Sequence, residues 1–146
     1  MNNEKKEKKG STIKLVFGRM SWLYAAIHTR KCFNKGKYEE ALELATCALE
    51  KAELCFGSEH LNANRSLYNL AVVNCKLGNF DEAEKAAKRA LDITSANWGD
   101  NHIKVIDDLR NLIGIYEAWG EKPEELERAQ ERLERITSGD CEVTEK

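Results

Sequence analysis

The residues best suited to metal chemistry in this chain are two histidines and five cysteines, and their spacing decides whether they could perform it. His60 and His102 each close the same five-residue pattern, Phe56-Gly57-Ser58-Glu59-His60 and Trp98-Gly99-Asp100-Asn101-His102, 42 positions apart. Paired imidazoles invite a metal reading. The cysteines do not support it: Cys32, Cys47, Cys55, Cys75 and Cys141 contain no Cys-x-x-Cys pair and are odd in number, whereas structural zinc ligands come in closely spaced pairs. Most of them stand where a small apolar residue belongs on a helix, so reduced core thiols are the expected state. The third histidine, His28, lies within a helical pattern and reads as a packing residue. A catalytic site needs a nucleophile or base held by a partner, and the sequence carries no phosphate loop, paired metal motif or nucleophile elbow. The chain therefore reads as a non-enzyme with no cofactor and no metal.

The elements that position these histidines explain why they recur. Gly36, Gly78 and Gly120 keep the same step of 42, as do Ala45, Ala87 and Ala129, and Leu49, Leu91 and Leu133. Lys35 to Leu42 (KGKYEEAL) aligns with Leu77 to Glu84 (LGNFDEAE), and Tyr68 to Ala71 (YNLA) with Arg110 to Ile113 (RNLI). Self-similarity at a fixed period marks a repeat array. Within a unit, Leu67, Leu70, Ala71, Val73 and Leu77 recur at three- and four-residue steps, which buries one helical stripe. Gly78 ends that helix. A second helix follows, with Asp81 and Glu82 in its first turn, Lys88 and Arg89 nearer its end, and a face of Ala83, Ala86, Ala87, Ala90 and Leu91. Pro123, the sole proline, sits where a helix begins. The expected helices are 21–35, 38–55, 61–77, 80–96, 103–119 and 123–137. On this layout both histidines fall on corners between units, where glycine stops one helix and polar residues cap the next. Equivalent atoms on neighbouring corners lie on the order of 10 Å apart, too far to share one metal ion.

Residues 21–137 resemble tetratricopeptide repeats, on the strength of Gly-x-[Tyr/Phe]-[Asp/Glu]-Glu-Ala at Gly36–Ala41 and Gly78–Ala83, the Asn-Leu-Ala type of first helix, and the Ala48-Leu49 and Ala90-Leu91 pairs. Their 42-residue length and Gly-x-x-His corner are similar to the longer units of kinesin light chains. The first unit departs from the pattern at His28 and Thr29, and the third at Glu125, where alanine is expected. The resemblance implies an all-α, right-handed superhelical array of three antiparallel helix pairs (about 21–56, 57–98 and 99–137), whose first helices line a concave groove. It implies groove positions at Arg30 and Phe33, at Arg65, Tyr68, Asn69, Val72 and Lys76, and at Asp107, Arg110, Asn111 and Gly114. Asn69 and Asn111 would form a ladder able to donate to and accept from a peptide backbone. Asp107 is the one acid among these candidates, so the groove is expected to be locally positive and to take an acidic or acidic–hydrophobic peptide or helix of another protein. Ala26 and Asp107 stand where the family's carboxylate clamp needs basic residues, which argues against chaperone-tail binding.

Charge is unevenly spread. Residues 1–37 hold 10 Lys/Arg against 2 Glu, and residues 38–146 hold 13 against 23, so a basic stretch precedes an acidic body within a net charge of −2. Residues 1–20 are expected to form a basic, partly disordered arm and 138–146 a disordered polar tail. The arm does not read as a secretory signal, because Lys14 and Arg19 interrupt its apolar run, and no run reaches the ~20 apolar residues of a membrane span. A cytoplasmic setting is expected. No folded stretch gathers Lys/Arg with exposed aromatics, so nucleic-acid binding is not expected. The stretch from Ile13 to Trp22 carries Ile13, Leu15, Val16, Phe17, Met20 and Trp22 and is apolar, and the alternative reading is self-association, with the arm packed on its own or a neighbouring chain's repeats and homo-oligomers as the product.

Overall fold

A computed structural model describes residues 2–139, with side chains from Phe17 to Gly139. Met1, the side chains of 2–16 and residues 140–146 lie outside the described residues, and with them most of the polar tail expected at 138–146.

Period-3.6 patterning yields helices α1 (Asn2–Asn34), α2 (Tyr38–Phe56), α3 (Leu61–Lys76), α4 (Phe80–Trp98), α5 (Ile106–Trp119) and α6 (Pro123–Ser138), with a 3-10 turn at Ile103–Val105 leading into α5. Among the described residues there is no strand. The helices pack as the pairs α1–α2, α3–α4 and α5–α6, and each pair packs on the next through α2–α3 and α4–α5. The first helices also touch one another, α1 with α3 and α3 with α5, so the chain is a solenoid of three helix pairs. Acidic residues open the second helices, Glu39 and Glu40 in α2, Asp81 and Glu82 in α4, Glu124 and Glu125 in α6, where they oppose the positive end of the helix dipole.

Two boundaries differ from the sequence expectation. The first helix begins at Asn2 and not near residue 21, so the arm continues the repeat helix. It is held to α2 by a close contact: a Cβ on Gly18 would come 2.6 Å from Cys55 Sγ, and the Arg19 guanidinium lies over the Phe56 ring. The third unit starts with a 3-10 turn where the second starts with α-helix. Ile103, Val105 and Ile106 stand there, and crowded β-branched side chains weaken the first helical turn.

The core is built of small residues. Ala41, Ala45, Ala48 and Ala52 line α2, and Ala83, Ala86, Ala87 and Ala90 line α4, all buried. Larger side chains fill between them from α3 and α5, among them Leu67, Val73, Leu109 and Ile115. Polar ties recur with the repeat. Trp22 Nε1 donates to Ser66 Oγ at 3.0 Å, and Asn64 Nδ2 donates to the Asp108 carboxylate at 3.1 Å. Donor and acceptor are 44 residues apart in both cases. A third tie joins the last two units: Tyr116 donates to Glu84 Oε1 at 2.8 Å, Lys122 donates to Oε2, and Lys88 pairs with Oε1 at 2.7 Å. Burial raises the Glu84 pKa, but the hydrogen bonds from Lys122, Lys88 and Tyr116 outweigh it and hold the group down at about 2. Burial and the bond to Glu84 push the Tyr116 phenol up.

Candidate functional site

The recurring histidines are corner fittings. At the first corner Gly57 adopts φ 101°, a conformation that side-chain-bearing residues rarely adopt, and its N–H closes α2 on Glu53 O at 2.9 Å. Three residues later His60 Nδ1 accepts the Asn62 N–H at 3.0 Å, capping α3. At the second corner Gly99 has the same φ of 101°, its N–H reaches Ser95 O at 2.8 Å, and His102 Nδ1 accepts the Lys104 N–H at 3.1 Å. Each imidazole stacks on the aromatic that opens its pattern, Phe56–His60 and Trp98–His102, with ring centroids 5.2 Å apart in both. The cap is thus the histidine itself and not the two polar residues before it. An Nδ1 that accepts a backbone N–H has its lone pair engaged.

The site with room for a partner is a cavity of about 470 Å³ along the first helices. From α1 come Leu23, Ile27 and Arg30; from α3, Leu61, Arg65, Tyr68 and Asn69; Trp98, Lys104 and Asp107 close its far side. Leu23, Ile27, Leu61 and Trp98 are exposed, so apolar surface lies open on this face. Lys104 Nζ sits 5.8 Å from the Trp98 ring centroid, a cation–π distance.

At the back of the cavity a polar cluster is closed on itself. Asp108 is 5% exposed and accepts from Thr94 Oγ1 at 2.5 Å and from Asn64. Asn64 Nδ2 also donates to Ala90 O at 2.8 Å. Burial raises the Asp108 pKa, and the bonds from Thr94 and Asn64 only partly oppose that rise. With Asp108 buried in this cluster, the charges that face solvent are Arg30, Arg65 and Lys104 against Asp107. The groove is cationic, although the body around it is acidic.

Of the positions taken from the repeat pattern, Arg30, Arg65, Tyr68, Asn69 and Asp107 line this cavity. Phe33, Val72, Lys76, Arg110 and Asn111 do not. Phe33 packs edge-on against Tyr38 at 5.3 Å, within its own helix pair. Arg110 is exposed and lies 3.8 Å from Asp107. Among the described residues Asn111 has a buried Nδ2 without a hydrogen-bond partner, so the two asparagines are not presented alike. Leu23, Ile27, Leu61, Trp98 and Lys104 were not anticipated. A signal for two of them existed, because Leu23 and Ile27 stand 42 positions before Arg65 and Asn69. Their apolar side chains carry no polar signal of a site.

A solenoid of helix pairs with an open groove along its first helices defines a helical-repeat protein. A family model described as Tetratricopeptide repeat matches residues 32–96 and again 62–138; the chain belongs to that family. Tetratricopeptide repeats generally mediate protein–protein interactions and are typically non-catalytic. No helix of the described residues is long and apolar enough to cross a membrane.

Proposed function

We propose that the chain is a non-catalytic adaptor that holds a short segment of another protein in the groove of α1, α3 and the start of α5. The observation that carries this reading is the pairing of exposed apolar side chains, Leu23, Ile27, Leu61 and Trp98, with three cations, Arg30, Arg65 and Lys104, around one concavity. Apolar area supplies affinity, and surface charge selects and steers the partner. An acidic–hydrophobic peptide or helix matches both. A cytoplasmic setting suits cysteines that carry no disulfide spacing.

The same charges weigh against seating a neighbour's arm in the groove, since residues 1–20 hold 6 Lys/Arg against 2 Glu and would meet cations there.

Peptides of matched length and apolar content, one set acidic and one basic, test the reading by fluorescence anisotropy. Acidic peptides should bind, and Arg65→Glu with Lys104→Glu should abolish binding without changing the circular dichroism. Equal affinity for both sets, or binding that survives the double charge reversal, refutes it.

A further inference from the structure

One face of α1 lacks the cover that the same face has in the other two units. Tyr24, Ser66 and Asp108 occupy equivalent positions 42 residues apart. Ser66 is 1% exposed and receives Trp22 of the preceding unit; Asp108 is 5% exposed and receives Asn64 of the preceding unit. Tyr24 is 62% exposed, and among the described residues its one ring contact is with His28, one turn along the same helix. Lys31, exposed, corresponds in the same way to buried Val73 and Ile115. This face is therefore the open end of the array, and it is apolar: Phe17 is 68% exposed, Met20 65% and Ile27 46%. These residues and Tyr24 fall at steps of three and four, so they form one stripe on the side of α1 opposite Trp22, Ala25 and Thr29, which pack inward. Contiguous apolar patches of this kind mark interaction surfaces.

We infer that this stripe pairs with the same stripe of a second copy of the chain, α1 against α1 in antiparallel sense. Two features select this occupant. Wherever the equivalent face is covered, it is covered by a helical unit of this same chain, so its geometry suits a repeat helix. The stripe is also self-complementary about a two-fold axis: residue numbers that sum to 44 come opposite one another, which sets Met20 against the partner's Tyr24 and Phe17 against the partner's Ile27. An isologous interface requires this reciprocity. The antiparallel sense also sends the two lysine-rich N-terminal stretches to opposite ends of the pair, which limits their repulsion. The surface is distinct from the groove except at Ile27, which borders both.

Sedimentation equilibrium of the full chain tests the pairing with substitutions that avoid the groove. The wild-type chain should sediment at twice the 16.6 kDa chain mass, and Met20→Glu or Tyr24→Glu should reduce it to a single chain mass, with helical circular dichroism and peptide binding retained. Met20→Glu combined with Tyr24→Lys sets opposite charges across the two-fold axis and should restore the dimer. A wild-type chain of single mass overturns the inference. So does a dimer that survives both glutamate substitutions, which would place the contact elsewhere. If the single chains instead bind vesicles containing phosphatidylserine and not vesicles of phosphatidylcholine alone, an anionic lipid surface covers the stripe and the second copy is refuted.

Discussion

Trp22 and Ser66, joined by an indole N–H to hydroxyl bond of 3.0 Å, occupy the same places in their units as Asn64 and Asp108 do one repeat later. A single geometric relation, first helix to next first helix at a separation of 44 residues, is thus served by two different chemistries. The indole–hydroxyl pair is neutral. The amide–carboxylate pair places a charge in the wall of the groove, and its consequences are testable.

Replacing Asn64 by Ala leaves Asp108 with Thr94 as its remaining hydrogen-bond partner. Under-satisfying a buried group costs about 1–3 kcal/mol, and urea denaturation at neutral pH should show a loss of that order. Asn64→Asp should cost more, because it sets two carboxylates side by side. Asp108→Asn should be tolerated at neutral pH. The folded-state pKa of Asp108 lies above its unfolded value, so the ionised form opposes folding, and stability from this group is gained as pH falls through the raised pKa. A severe loss in Asp108→Asn would show that the charge itself holds the units together.

Glu84 should behave in the opposite way. Its folded-state pKa is about 2 against an ordinary 4.5. Its contribution is therefore complete above the unfolded value and disappears as pH falls from about 4.5 towards 2. Urea midpoints of wild type and Glu84→Gln should differ at pH 7 and converge across that interval. Lys122→Met should show the same convergence, since it removes one donor to the same carboxylate. Parallel curves for wild type and Glu84→Gln would remove Glu84 from the acid response.

The corner histidines predict a symmetric pair of effects. His60→Ala and His102→Ala each remove an N-cap acceptor, a loss of about 0.5–2 kcal/mol, and their costs should add, because independent sites combine without coupling. Thermal melts of the two single variants and the double variant measure this. A melt of the wild-type chain that shifts on adding zinc would restore the metal reading.

What the sequence disclosed, and what it hid, follows from the range of the interactions. The boundaries of α2, α3 and α4 came within a residue or two, because glycine corners and three- and four-residue stripes are local signals. The stacked Phe56–His60 and Trp98–His102 corners were visible as a spacing for the same reason. Glu84 was not: it occupies the place held by Leu42 and Leu126 in the other units, and its partners Tyr116 and Lys122 lie 32 and 38 residues away. The groove was half legible. Arg30, Arg65, Tyr68 and Asn69 follow from the repeat pattern, whereas the apolar surface of Leu61 and Trp98 arises only when a corner of the array folds beside the first helices.

Ala83 and Ala90 are fully buried on α4, where α3 and α5 both approach. A larger side chain at such a fully buried position has to be accommodated by its packed neighbours. Ala83→Leu and Ala90→Leu should each cost roughly 1–3 kcal/mol by overpacking. A melting temperature unchanged by either substitution would mean that the helix interface lies elsewhere.

The groove itself makes the last prediction, and it separates two contributions to binding. Leu23→Ala and Trp98→Ala remove exposed apolar area and should weaken an acidic–hydrophobic peptide at every ionic strength, because the hydrophobic contribution does not depend on simple Coulomb attraction. Arg30→Ala, Arg65→Ala and Lys104→Ala should weaken it more at low salt than at high salt, since exposed charges are screened over about 8 Å at physiological ionic strength. Lys104→Ala should act twice, as it also uncovers the Trp98 ring. Asn69→Ala should weaken binding about 5- to 150-fold if its amide pairs with the peptide backbone, the equivalent of about 1–3 kcal/mol. Asn111→Ala, at a position outside the cavity, should leave affinity unchanged. Isothermal titration of the seven variants at two salt concentrations distinguishes these cases. An Asn111 effect as large as that of Asn69 would extend the groove along α5, and salt-independent losses in all three cation variants would mean that their charges do not face the peptide.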